Sequence, residues 1–101
     1  MGSMKKSLDE ITETLLKNKS GLFGEYKIKE LGIFGSWVRG EEKKKSDIDI
    51  LVEFEEIPDL LKFIALERRL QRLLGKKVDV VRKEAIRPVI KEGILKEVRY
   101  I

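Results

Sequence analysis

The sequence predicts a small domain of the α/β (α+β) class, with a mixed β-sheet flanked by helices. Two observations lead there. Apolar runs with a two-residue period alternate along the chain with runs of helical period. The length, 101 residues, has room for one modest core, since a chain of this size buries roughly two-thirds of its unfolded surface. Met1-Gly2-Ser3 ahead of a second methionine reads as a tag remnant (residues 1–3), which leaves residues 4–101 as a single domain.

Ser7-Leu8-Asp9-Glu10 has the form of a capping box, with Ser7 as N-cap and Glu10 three residues on. Leu8, Ile11 and Leu15 give the helix that follows its apolar face, and it should end near Lys17 to Lys19, before Gly21. Leu22 to Tyr26 suits a short helical turn, and Ile28 to Phe34 a strand whose alternation Gly32 interrupts. Gly35 then turns the chain. Ser36 to Gly40 is long enough for one helical turn, and Glu41 to Lys45 forms an exposed polar loop.

A second strand is expected from about Asp47 to Phe54. Ile48, Ile50, Val52 and Phe54 fall on one face of it; Asp47, Asp49 and Leu51 fall on the other. Pro58 and Asp59 open the longest helix, which carries Leu60, Phe63, Ile64, Leu70, Leu73 and Leu74 and closes at Gly75. Its wetter side holds Arg68, Arg69 and Arg72. A third strand at Lys77 to Arg82, a helix at Ala85 to Lys96 and a short strand at Val98 to Ile101 complete the chain. The apolar tip at Tyr100 and Ile101 suits either docking within the chain or pairing with another subunit's edge.

Composition excludes several chemistries. With no cysteine and no histidine there are no disulfides, thiolate zinc sites, imidazole ligands, catalytic imidazoles or thiol nucleophiles. Any metal must be a hard cation held by oxygen. No run approaches the ~20 apolar residues of a membrane span and no signal-peptide core opens the chain, so a cytoplasmic protein with no membrane partner is expected. The net charge of +4 suits an anionic ligand, but a solvated Lys/Arg surface explains it as well, and nucleic acid is not the favoured partner.

Gly35-Ser36-Trp37-Val38-Arg39-Gly40, followed by Ser46-Asp47-Ile48-Asp49 at the mouth of the second strand, carries the chemistry. Glycine lets backbone approach phosphate closely, and the N–H groups opening the next turn are anion donors. Ser36 can add a hydroxyl and Arg39 a charged fork. Asp47 and Asp49 share a strand face about 6.6 Å apart along the backbone. Asp79, in Val78-Asp79-Val80-Val81, stands where an apolar strand would prefer an aliphatic residue. If its strand lies beside the second, three carboxylates converge, repelling one another and raising their pKa values unless cations neutralise them. Oxygen ligation next to phosphate favours Mg²⁺, with Mn²⁺ as a substitute. Two such ions roughly 3.5–4 Å apart would suit phosphoryl or nucleotidyl transfer.

These residues resemble the minimal nucleotidyltransferases (MNT domains) of the DNA polymerase beta superfamily, and the likeness runs from about Ile28 to Arg82. The resemblance implies a nucleotidyltransferase fold, with residues 4–101 as one minimal nucleotidyltransferase domain. It implies that Asp47 and Asp49 hold two metal ions, that Asp79 completes the site and helps activate the acceptor hydroxyl, and that Gly35 and Ser36 grip the triphosphate of ATP. Arg39 would be a phosphate contact or a brace of the loop. It further implies a protein adenylyltransferase that moves AMP from ATP to a tyrosine of a HEPN-domain toxin, serving as antitoxin in a hetero-oligomer with that partner. The larger members append a helical domain, whereas only about twenty residues follow Asp79 here.

Other readings of the same residues stay open from sequence alone. The fold can serve as a catalytically weak module that neutralises its partner by occlusion, or as a nucleic-acid-directed transferase. Gly35 can be a tight turn with Ser36 as N-cap, Asp47 a cap of local amides, Asp49 a lysine's partner, and Asp79 a salt-bridge partner of Arg82 or Arg39. Lys43-Lys44-Lys45 can steer nucleotide or RNA or be a solvated face, and Trp37 and Tyr26 are core or interface aromatics.

Charged residues form 40% of the chain against about 25% in ordinary domains, while Asn18 and Gln71 are its only side-chain amides. Heat favours that balance, because desolvating charge costs less at high temperature. The expected outcome is a calorimetric midpoint above the range of about 45–65 °C typical of mesophilic domains, and one near about 50 °C would count against a thermophilic source.

Overall fold

The computed structural model describes residues 7–43 and 45–101; the proposed tag remnant lies outside the described residues. Ser7 and Glu10 form the capping box through reciprocal bonds, Glu10 N–H to Ser7 Oγ and Ser7 N–H to Glu10 Oε1, and α1 runs Leu8–Lys17. A second helix, α2, occupies Lys19–Tyr26, longer than the turn expected at Leu22. The chain continues through β1 (Ile28–Phe34), the single turn α3 (Ser36–Arg39), β2 (Ile48–Phe54), α4 (Leu60–Leu74), β3 (Val78–Arg82), α5 (Pro88–Glu97) and β4 (Arg99–Tyr100).

The sheet order is β3-β2-β1-β4. β2 runs antiparallel to β1 and parallel to β3, and β4 returns antiparallel along the outer edge of β1, so the sheet is mixed. Ile48, Ile50, Val52 and Phe54 meet Val78, Val80, Leu31 and Ile33 beneath α1, α2 and α4 in the main core. The opposite face carries a smaller core of Phe34, Leu51 and Ile86, joined by Val81, Ile94, Leu95 and Val98. The two-residue period of β2 produces both. Its aspartate face is therefore wet at one end and covered by α5 further along.

Two expectations need correction. Leu60 is 72% exposed, and the inward stripe of α4 is Leu66, Leu70 and Leu74. Asp59 caps the helix through the Lys62 N–H, which places Leu60 at its first position. Fourteen residues on, Leu74 returns to within about 40° of Leu60 around the axis, so it is the place of Leu60 in the first turn of α4, rather than its phase, that leaves it exposed. The last helix does not begin at Ala85. Pro88 holds Arg87 extended (φ −62°, ψ 136°), so Lys83–Ala85 forms a separate 3₁₀ turn and α5 starts with proline at its N-terminus.

Gly32, which breaks the alternation of β1, is explained by β4. Those two strands pair Gly32 with Tyr100 and Ile33 with Arg99, and the Ile101 N–H donates to the Leu31 carbonyl. The chain tip thus docks within its own sheet. A Cβ at position 32 would lie 2.8 Å from Val98 Cγ2 and 2.9 Å from the Arg99 carbonyl oxygen. Gly32→Ala is expected to push β4 outward and cost about 1–3 kcal/mol, the usual penalty of overpacking. Loss of hydrogen-exchange protection at the Ile101 amide, together with a lower denaturant midpoint, checks this; an unchanged Ile101 amide would refute it.

Candidate active site

β1 delivers the chain to Gly35, whose φ of 83° and ψ of −154° lie in a region open essentially to glycine. Space imposes the same choice. A Cβ on Gly35 would sit 2.2 Å from Oδ2 of Asp49, so the backbone runs directly against that carboxylate. Gly35 is also the N-cap of α3, and Ser36, expected as N-cap in the plainer reading, is instead its first helical residue. The Val38 and Arg39 N–H groups return to the Gly35 carbonyl, while the first amides of the turn have no intrahelical acceptor.

The loop after α3 is tied down from both sides. Trp37 is buried, and its indole N–H reaches the Ser46 carbonyl at 3.4 Å. The Ser46 hydroxyl accepts the Lys43 N–H at 2.7 Å. Lys43 and Lys45 are exposed; Lys44 lies outside the described residues. Trp37 is thus a core aromatic that also fixes the approach to Asp47.

β2 begins at Ile48, so Asp47 is an exposed residue just ahead of the strand rather than its first member. Asp49 follows on the face away from the main core. The parallel register of β2 and β3 places Asp79 directly beside it, Asp49 opposite Asp79 and Ile50 opposite Val80. Asp79 is exposed, and neither candidate arginine takes it. Arg82 lies 3.8 Å from Glu84, and Arg39 pairs with Glu41 and Glu97.

Gly35, Arg39, Asp49 and Asp79 line one cleft of about 440 Å³, walled by the apolar side of α5 at Ile90 and Ile94. Ser36 and Asp47 lie outside its lining. Burial first, then the charges of Asp79 and Asp47, push the Asp49 carboxyl up to about 6; Arg39 opposes this and Glu97 adds to it. Asp47 is therefore within electrostatic reach of Asp49. Among the described residues, however, no three acidic side chains gather closely enough to hold an ion unaided.

Glu97, at the end of α5, was missed by sequence reasoning. It accepts the Gly35 N–H at 2.7 Å, and Arg39 Nη1 lies 3.1 Å from both of its carboxylate oxygens. A faint signal existed, because an acidic residue in a helix's last turn opposes the macrodipole. Arg39 thus pairs with Glu97 at the end of α5 and with Glu41 in the loop after α3.

A family model described as the nucleotidyltransferase domain matches residues 9–101. The chain belongs to the nucleotidyltransferase-domain family. Within that nucleotidyltransferase family it is similar to protein adenylyltransferase MntA of Thermococcus cleftensis, 50% identical over 95 residues that cover 94% of this chain and 96% of the relative. A solved structure described as a minimal nucleotidyltransferase is 31% identical, with a TM-score of 0.74 over 97% of this chain and 98% of that one. The fold also matches a chain in the complex of a tri-AMPylated Shewanella oneidensis HEPN toxin with an MNT antitoxin. There the TM-score is 0.63 at 21% identity, covering 89% of this chain and 70% of that chain, a likeness of fold alone. Among the described residues, no helix of this nucleotidyltransferase is long and apolar enough to cross a membrane.

The raised Asp49 carboxyl makes a prediction about the cation-free protein. Its folded pKa of about 6 exceeds the ordinary 3.8, so the unfolded chain ionises first and stability falls as pH rises from about 4 to about 6, staying low above that. Solvent screening of this partly exposed group leaves the penalty on the order of 1 kcal/mol. Asp49→Asn should therefore raise the melting temperature by about 4–8 °C at pH 7 without divalent cations, and should give no gain below about pH 4. Melting curves at the two pH values decide it; no gain at pH 7 would sink the argument.

Proposed function

We propose that this chain is a Mg²⁺-dependent protein adenylyltransferase that moves AMP from ATP to a tyrosine hydroxyl of a HEPN-domain partner. It would thereby act as the antitoxin of a cytoplasmic pair, assembled with that partner as a hetero-oligomer. One observation carries the reading: Asp49 stands beside Asp79 on neighbouring parallel strands, with the Gly35 turn pressed against Asp49 in the same cleft. The adenylyltransferase name of the Thermococcus relative and the HEPN toxin in the Shewanella complex support the choice of nucleotide and acceptor.

The donor set fits a hard divalent cation, since every candidate ligand is a carboxylate oxygen. Mg²⁺ is held in such sites by one or two carboxylates together with substrate phosphates and water, so a tight protein cage is not required beforehand. Asp47, Asp49 and Asp79 would hold two ions, for which Mn²⁺ can substitute. When bound, the metal supplies positive charge against the triphosphate and the developing charge of transfer.

The chain's own residues do the rest. The Gly35 turn and the Ser36 hydroxyl bind the triphosphate, and the apolar flank of α5 at Ile90 and Ile94 screens the cleft from water. Asp79, exposed at the cleft, accepts the proton of the acceptor hydroxyl. The freed oxygen bonds to the α-phosphorus, the bond from that phosphorus to the bridging oxygen of the β-phosphate breaks, and pyrophosphate leaves. In this reading residues 4–101 act as one unit.

Replacing Asp47 and Asp49 together by Asn is expected to lower transfer of label from α-labelled ATP to the HEPN protein by at least about 10²–10³-fold, the scale of losing a principal electrostatic group. Association of the two proteins on a sizing column should persist. Neutralisation of the partner in cells by the double variant would show occlusion to be the mechanism. A product that lengthens on a nucleic-acid gel would instead mark an RNA or DNA acceptor.

A further inference from the structure

We propose that Glu97 is a positioning residue for triphosphate recognition, fixing the Gly35 turn through its amide and holding the Arg39 guanidinium in the orientation that meets the β- and γ-phosphates. This inference rests on the nucleotidyltransferase reading above, and adds to it a residue outside the glycine-serine and aspartate motifs.

Glu97 stands in an unfavourable place. It is the last residue of α5, where the free carbonyl groups carry the negative end of the helix dipole and a cation is preferred, as Lys96 beside it illustrates. It also lines the cleft that holds Asp49 and Asp79, so it adds a further negative charge to a surface already acidic. Two repulsive neighbours need a specific compensation. The Gly35 N–H provides one part, with a 2.7 Å charge-assisted bond, and Arg39 provides the other, with Nη1 3.1 Å from each carboxylate oxygen. Only 21% of the Glu97 side chain is exposed, so solvent competes weakly for these bonds.

The consequence is geometric. One carboxylate joins the end of β1, the single turn α3 and the end of α5. Arg39 is held along two of its nitrogens, Nε by Glu41 at 2.9 Å and Nη1 by Glu97, which fixes the plane of the guanidinium. Nη2 is not engaged by either carboxylate, and the Arg39 side chain is 48% exposed, so a ligand can reach the fork. A planar group locked in this way recognises phosphate without first losing rotamer freedom. The bond to Gly35 acts in parallel, fixing the turn whose next residue is Ser36.

The opposite role is also physically defined: a carboxylate on Gly35 and Arg39 could compete with phosphate for the same donors. The two roles have opposite signs in a binding measurement. Calorimetric titration of Mg²⁺ with a non-hydrolysable ATP analogue, and separately of AMP, into the wild type, Glu97→Gln and Glu97→Ala separates them. Glutamine keeps an acceptor for the Gly35 N–H but removes the charge that holds Arg39.

The expected result is about tenfold weaker binding of the triphosphate analogue by Glu97→Gln, the scale of one charged hydrogen bond, and a larger loss for Glu97→Ala. AMP, which lacks the β- and γ-phosphates, should bind within about twofold of wild type. Arg39→Lys, which keeps charge without the fork, should show the same selective loss, and the pair Glu97→Gln with Arg39→Lys should fall short of the sum of the singles. Unchanged analogue affinity overturns the proposal, tighter affinity shows that Glu97 competes with phosphate, and equal losses for AMP and analogue reduce it to a general structural contact. A wild type that binds neither nucleotide rejects the nucleotidyltransferase reading itself, a failure recognisable before any variant is compared.

Discussion

The Gly35 backbone and the Asp49 carboxylate share a space too narrow for a methyl group, and most of the site follows from that contact. A Cβ 2.2 Å from Oδ2 cannot be accommodated, and the positive φ of Gly35 excludes other residues independently. The turn that begins α3 is consequently held against the strand that carries the acid, and the distance between anion donors and carboxylate is built into the backbone. Since β1 and β2 are antiparallel neighbours, with Phe34 opposite Asp49, the sheet itself enforces the approach.

The second constraint is parallel pairing. Asp49 and Asp79 meet because β3 returns beside β2 in the same direction, a connection that requires the length of α4. Like charges placed side by side, with part of their hydration removed, give the site its unfavourable electrostatics: the Asp49 carboxyl titrates near 6. That repulsion is tolerated because the rest of the domain is conventional. One face of the sheet carries a large apolar core under three helices, and the other a small one under α5.

Local chemistry was legible in the sequence to the residue. The Ser7 to Glu10 box, the bounds of β1 and the Gly75 cap (φ 67°) are set by neighbours in the chain, and each stands where the pattern put it. Face assignments in β2 and β3 followed from alternation, which is why Asp49 and Asp79 could be expected on one side. Exposure and tertiary contacts were less legible. Leu60 looked like a core residue because its apolarity was visible, whereas its exposure at the first position of α4 was not. Pro88 split the last helix through the geometry it imposes on Arg87. The contact of Glu97 with Gly35 joins residues 62 apart in sequence, and no local pattern announces it. Convergence of all three aspartates was the expectation; the described residues show a register pair with the exposed Asp47 nearby.

That separation bears on how the protein is made. Translation proceeds from the N-terminus, and long-range contacts must wait for both partners. The turn at Gly35 leaves the ribosome well before α5, and β4 must still fold back along β1 to bring that helix home. A nascent chain that has already displayed its aspartates lacks the carboxylate that pins the turn. Assembly of the pocket is thereby deferred until α5 and β4 have emerged.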